Sequence, residues 1–198
     1  MWSPFAFQNG HDFAYGWGRE KLNTALSVGF SGGTIVSLKK YLDQDLTIIV
    51  LTNGYKYFPD VNAMANYIAG FVRPVLQDEQ ALLREQLYNS FLNEPLEKAL
   101  KDYEEKASEN NTLNLESTMN RIGYTLAGRK LFDKAIAVFL LNSKEHPKSW
   151  NVWDSLAEGY EMSGDFGKAI VYYQKSVKLN PENTHGITKI KMLQEKIK

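Results

Sequence analysis

The sequence predicts an α+β protein: an antiparallel β meander with a packing helix, followed by an all-α region of helical repeats. Three observations carry this. Residues 1–58 are rich in aromatics and glycine and alternate with period two. From Pro59 onward, apolar residues recur at spacings of three and four. In the last third of the chain, like residues recur at a constant offset of 34: Gly123 with Ala157, Phe132 with Phe166, Ala135 with Ala169, Phe139 with Tyr173, and Pro147 with Pro181.

The first strand is placed on Leu22, Thr24, Leu26, Val28 and Phe30, which share one bulky face. Ala25, Ser27, Gly29 and Ser31 form the opposite, small face. Such alternation predicts a half-buried strand with the bulky face inward, so Phe30 is expected in the core beside Leu26 and Val28. Gly32-Gly33 offers a turn. A second strand follows over roughly Thr34 to Leu42, and Asp43-Gln44-Asp45 turns the chain again. Leu46 to Leu51 is almost continuously apolar, which predicts a strand covered on both faces. The sheet is expected to have about three strands.

The helical part opens with Asp60 as an N-cap. Val61, Met64, Ala65, Ile68, Ala69 and Val72 mark one helix face, and Pro74 closes it. Leu76–Phe91 and Pro95–Ala107 supply two more helices, with Pro95 suited to a first turn. The polar run Ser108 to Thr112 is a candidate boundary. The expected organisation is 1–75, a helical connector over 76–112, and repeats over 113–198.

The offset of 34 has a packing rationale. Small residues at Gly123/Ala157 and Ala135/Ala169 let two antiparallel helices approach, and aromatics fill the space between them. Trp153, Leu156, Ala157, Tyr160, Ala169, Tyr173 and Pro181 in the second copy resemble the signature of the tetratricopeptide repeat, whose period is 34. The first copy, with Met119, Ile122, Gly123, Leu126, Ala135, Phe139 and Pro147, lacks the Trp and Tyr. Residues 184–198 are expected to cap the stack, with Ile187, Ile190, Leu193 and Ile197 facing inward.

Composition narrows function. Twenty-three basic and 23 acidic residues cancel, so no broad field holds a polyanion and nucleic acid is not an expected partner. The chain has no cysteine, which removes thiolate chemistry, and its three histidines are scattered, so no metal site and no cofactor are expected. No apolar run approaches the ~20 residues of a membrane span. Met1 to Phe5 does not read as a signal peptide.

Three short segments add a second resemblance. Tyr15-Gly16-Trp17-Gly18, then Phe30-Ser31-Gly32-Gly33, then Leu51-Thr52-Asn53-Gly54 resemble the carboxyl-terminal strands of the serine β-lactamase and penicillin-binding-protein family, particularly its class C-type hydrolases. That resemblance implies a partial β-lactamase-like sheet over 1–75 and a pocket strand at Phe30, Ser31, Gly32 and Gly33. It also implies an acyl-serine hydrolase as the parent and an extracytoplasmic location. In that family the nucleophile belongs to a Ser-x-x-Lys helix, and the N–H of Gly33 would serve an oxyanion hole. Here the spelling occurs only at Ser37-Leu38-Lys39-Lys40, in a predicted strand, where side chains three apart point to opposite faces. Phe30 stands where the family carries Lys or His. The resemblance therefore implies an inactive fragment with no catalytic residue of its own, whose N-terminal catalytic lobe is missing.

The alternative is a non-catalytic interaction or scaffolding module. In the tetratricopeptide family the first helix of each unit lines a concave peptide groove. The resemblance places Asn120, Tyr124, Asn151, Asp154 and Glu158 there, with a peptide or protein as partner. Asp154 and Glu158 lie four apart on one helix face, so this groove leans acidic. The competing role is that two repeats brace the sheet and bind nothing, because about three are needed for an independent stack.

Overall fold

The computed structural model describes residues 13–14, 17–22, 25–32, 35–53, 61–109 and 114–197. The chain divides into two compact units, Met1–Glu85 and Gln86–Lys198.

Among the described residues, the first unit holds a five-stranded antiparallel sheet in the order β1-β2-β3-β4-β5. These are Phe13–Ala14, Trp17–Leu22, Ala25–Gly32, Val36–Tyr41 and Leu46–Leu51. The three strands expected from the sequence correspond to β3, β4 and β5, and two more extend the sheet. Leu22 belongs to β2 and pairs with Ala25, so the single strand read from Leu22 to Ser31 is interrupted. Helix α1, Val61–Val72, packs on one side of the sheet, and the 3-10 turn Pro74–Leu76 follows it.

Burial on β3 does not keep to one face: Ala25 and Ser27 of the small face are buried, Val28 of the bulky face is buried as expected, and Phe30 is not. Ser27 stands opposite the fully buried Tyr41, and Ala25 joins Tyr41, Val50, Val61 and Ala65 in the core. Ala25 of the small face packs in one core cluster with the small residues Ala65 and Ala69 of α1. Within the sheet, a Cβ on Gly29 would lie 2.3 Å from the Leu38 carbonyl oxygen, so β3 and β4 meet closely there. Phe30 pairs with Leu38 on the opposite face and is 49% exposed, so it is not a core residue. Strand β5 is covered on one face only: Ile48 and Val50 are buried, whereas Ile49 and Leu51 are exposed. A single packing helix on an antiparallel sheet covers one side, and alternation then decides which residues it reaches.

The inner face of β4 carries polar groups that α1 satisfies. Ser37 Oγ donates to Asn62 Oδ1 at 2.8 Å, and Lys39 Nζ donates to Asn66 Oδ1 at 2.9 Å. The Tyr41 hydroxyl donates to the same oxygen at 3.0 Å, and Asn66 Nδ2 donates to Asp78 Oδ2 at 3.2 Å. Buried polar side chains need such partners, and these fix the register of α1 on the sheet. Ser37 and Lys40 point to opposite faces, with Lys40 turned outward to Asp45 at 3.1 Å. Helix α2, Glu79–Asn93, spans the division between the units.

In the second unit, α3 covers Leu96–Glu109, so Ser108 and Glu109 of the expected linker are helical. Helices α4 (Leu115–Gly128) and α5 (Phe132–Glu145) form one antiparallel pair, and α6 (Trp150–Ser163) and α7 (Phe166–Leu179) the next; α8 (Thr184–Lys196) packs on α7. The 34-residue offset has its packing counterpart here. Phe139 is fully buried, and a Cβ on Gly123 would sit 2.4 Å from its ring. A Cβ on Gly159 would meet the other ring edge at 2.8 Å, so this one aromatic wedges between α4 and α6. Ala135, Ala157, Ala169 and Tyr173 are all fully buried. On α8, Leu193 is buried and Ile187 and Ile190 are half-buried. Ile197 is 56% exposed and does not face inward, because it follows the last helical residue.

Candidate functional site: the first-helix face of the repeats

Helices α4, α6 and α8 are the first helices of successive units, and the offset of 34 aligns three rows of residues on them. Ser117, Asn151 and His185 form one row, Asn120, Asp154 and Thr188 a second, and Tyr124, Glu158 and Met192 a third. All five residues expected in the groove belong to these rows.

The middle row forms a polar floor. Asn142 Nδ2, from α5, donates to Asn120 Oδ1 at 2.9 Å and to the Glu116 carbonyl at 3.0 Å. Thirty-four residues on, Ser176 Oγ donates to Asp154 Oδ1 at 3.4 Å. Asn183 Nδ2 adds a bond of 2.7 Å to the same oxygen, while Asn183 Oδ1 caps α8 through the Gly186 N–H. Asn120 and Asp154 are both buried and held from beneath by these bonds.

The third row links neighbouring units directly. The Tyr124 hydroxyl donates to Glu158 Oε2 and lies 3.1 Å from Ser155 Oγ. Burial first, and then the charge of Glu158, pushes the Tyr124 phenol well above its ordinary range, so it stays a proton donor. Tyr173 behaves alike: burial and then Glu161 raise its phenol, which donates to Glu161 Oε2 at 2.8 Å. Burial works to raise the carboxyl of Glu161, but the donors Lys189 and Tyr173 more than offset it and hold that group low. Lys189 Nζ lies 2.7 Å from Glu161 Oε1.

A hollow of about 390 Å³ opens beside these rows, lined by Asn114, Glu116, Ser117, Asn120, Arg121, Tyr124, Asn151 and Ser155. Three of the expected residues, Asn120, Tyr124 and Asn151, lie on its wall, and Glu158 joins it through the Tyr124 hydroxyl. Sequence reasoning missed Asn114, Glu116, Ser117, Arg121 and Ser155. It also missed His185, whose Nδ1 is 3.2 Å from Asp154 Oδ2 and whose Nε2 is 3.5 Å from Glu158 Oε1. One ligand atom from each of Asp154, Glu158 and His185 lies within 4.8 Å of the others. The linear scatter of the histidines hid this association, although His185 stands 34 residues after Asn151.

The strand segment expected to border a hydrolase pocket is arranged differently. Ser31 and Gly32 pair with Ser37 and Val36 in the ladder, Phe30 lies in the open, and Gly33 falls outside the described residues.

Comparison with known proteins bears on the same half of the chain. The family model of the tetratricopeptide repeat matches residues 150–183, which are α6, α7 and the turn to α8. Superkiller complex protein 3 of Homo sapiens is 31% identical over 72 residues, or 36% of this chain. The Mus musculus protein of that name is 31% identical over 62 residues. The chain spans about 4% of the length of these relatives. Among solved structures, the crystal structure of MamA is 14% identical with a TM-score of 0.47, over 67% of this chain and 75% of that one. The Cut9–Hcn1 hetero-tetramer of the APC/C is 18% identical with a TM-score of 0.47, over 67% of this chain and 26% of that one. The tetratricopeptide match at 150–183 and the Superkiller complex relatives overturn the reading of this chain as a fragment of a serine β-lactamase-like or penicillin-binding-protein-like hydrolase. The missing catalytic lobe and the extracytoplasmic location implied by that resemblance lose their support with it. The resemblance rested on short Gly-, Ser- and aromatic-containing segments, which any twisted antiparallel sheet uses at its turns and close approaches. No helix of the described residues is long and apolar enough to cross a membrane.

Proposed function

We propose that the chain is a non-catalytic protein-interaction module whose repeats present the α4–α6–α8 face to an extended peptide segment of a partner. In this reading residues 76–112 are a helical connector and 113–198 the binding part. The observation that carries it is the row structure: side chains in register every 34 residues, anchored from below by Asn142, Ser176 and Asn183, beside a polar hollow. An extended peptide exposes a backbone donor and acceptor at each residue. Asn120, Asn151, Ser117 and the hydroxyl of Tyr124 are groups suited to meet them, because an amide or hydroxyl both donates and accepts. Anchored side chains also lose little rotamer freedom on binding, which limits the entropic cost of association.

A phage-displayed library of random peptides, panned over the full chain, tests this. Selected peptides are expected to bind in 1:1 stoichiometry by fluorescence anisotropy. Asn151→Trp, which fills the hollow from an exposed position, should weaken them at least tenfold. Equal binding to the wild type and to Asn151→Trp would place the interaction elsewhere.

A further inference from the structure

The two carboxylates of the face are each half committed. Asp154 uses Oδ1 to accept from Asn183 and Ser176, and Glu158 uses Oε2 to accept from Tyr124. The remaining oxygens, Asp154 Oδ2 and Glu158 Oε1, turn toward one imidazole, that of His185, at 3.2 and 3.5 Å from its two nitrogens. All the anchoring donors are neutral, so they orient the carboxylates without discharging them. On the next turn of α8, Lys189 is engaged by Glu161.

The two carboxylates suit a fork better than they suit this ring, because one oxygen of each lies within 4.8 Å of the other. The two ring nitrogens of an imidazole point apart, and only Nδ1 is in a hydrogen bond, with Asp154; Nε2 is 3.5 Å from Glu158 Oε1 without one. An arginine guanidinium stays charged and directs two parallel N–H donors from one edge, which two oxygens this close can accept together. The His185 side chain is 46% exposed, whereas that of Asp154 is 12% exposed, so the ring can leave and the carboxylate cannot. A cation delivered by a ligand would bring Glu158 Oε1 the donor that the ring does not aim at it, while keeping Asp154 Oδ2 partnered.

We propose that Asp154 and Glu158 form the recognition site for one arginine side chain of the partner peptide, which takes the position that the His185 ring occupies in the free chain. This deepens the interaction reading above and rests on it. It sets the chemistry of the partner, an extended segment carrying arginine at one fixed place, and it assigns His185 as the resident group that the ligand displaces.

The test uses the full chain and a positional-scanning library of N-acetylated, C-amidated nonapeptides. The best arginine-containing peptide is then compared with its citrulline and lysine analogues by fluorescence anisotropy. Citrulline keeps the shape and removes the charge, and it should weaken binding at least tenfold; lysine, which lacks the fork, should fall between the two. Glu158→Gln should abolish the preference for arginine over citrulline. Asp154→Asn should do the same, but Asp154 is tied to three elements and its variant can lose stability, so the half-exposed Glu158 decides the matter. His185→Ala should tighten the arginine peptide two- to fivefold by removing the competitor. Arginine and citrulline peptides that bind alike, while still being displaced by Asn151→Trp, would overturn the arginine site and leave the interaction reading standing. No binding by any peptide would remove both. Saturable 1:1 binding of zinc chloride alone that is lost in His185→Ala would show that the trio is a metal centre and would overturn the proposal.

Discussion

The two helix pairs of the repeat unit share one architecture but differ in how well each position is executed. At the turn between helices, the second pair has Gly164 at φ 90°, where the first has Lys130 at φ 62°. The next residue caps the second helix: Asp165 accepts from the Lys168 N–H, whereas Leu131 makes no side-chain cap bond. Trp153 and Tyr160 of the second pair stack on Tyr172, with centroids 6.0 and 5.4 Å away; Met119 stands in place of that Trp in the first. These differences explain why the family match falls on residues 150–183 and not on the preceding copy. The pairs also differ at the floor, where the amide Asn120 is replaced by the carboxylate Asp154. Packing positions are thus kept while the polar rows of the first helices change chemistry, which a repeat scaffold can do without altering its fold.

Perturbing the element common to both pairs should cost most. Phe139→Ala removes the wedge between α4 and α6 and should lower stability by about 3–5 kcal/mol, read from urea unfolding. A loss below about 1 kcal/mol would mean that the ring is not what spaces these helices. Next come the matched positions Asn183 and Ser149. Asn183→Ala removes a helix cap and two bonds to buried groups, and should cost about 2 kcal/mol. Ser149 caps nothing and bonds only Glu116, so Ser149→Ala should cost well under half as much. Equal losses would erase the distinction between the two floors. At the turns, Lys130→Gly should raise stability by about 1 kcal/mol and Gly164→Ala should lower it by a similar amount, since only glycine enters the left-handed region freely. Thermal midpoints moving in the same direction for both would contradict the assigned backbone.

The smallest effect is one of pH. The folded carboxyl of Glu161 sits below its ordinary range. Its contribution is therefore fully present above the carboxyl range of the unfolded chain and is lost as pH falls through the lower, folded value. Lys189→Ala should flatten this acid-side dependence, as seen in midpoints measured between pH 6 and roughly pH 3. An unchanged slope would show that the Lys189–Glu161 contact is too exposed to matter.

The repeats were legible in the sequence because interhelical packing imposes residue size at a fixed period, so Gly123, Ala157, Phe139 and Tyr173 identify themselves. The strands were legible as alternation, but alternation gives two faces without saying which one is covered. On β3 neither face is covered as a whole: Ala25 packs against the alanines of α1, Val28 on the other face is also buried, and Phe30 lies outside. The site was partly legible. Asn120, Tyr124, Asn151, Asp154 and Glu158 follow from the register of the first helices. His185 was obscured because α8 had been treated as a cap, not as the first helix of a third unit. The anchoring of Asp154 by Ser176 and Asn183 depends on how the turn after α7 folds back, and no periodicity encodes that.

The most direct measurement is residue-resolved amide mapping by NMR of the full chain titrated with a library-selected peptide. The account predicts that shift changes concentrate at Ser117, Asn120, Tyr124, Asn151, Glu158 and His185. Changes confined to the second helices, around Val171, Lys175 and Lys178 of α7, with the first-helix rows silent, would contradict it.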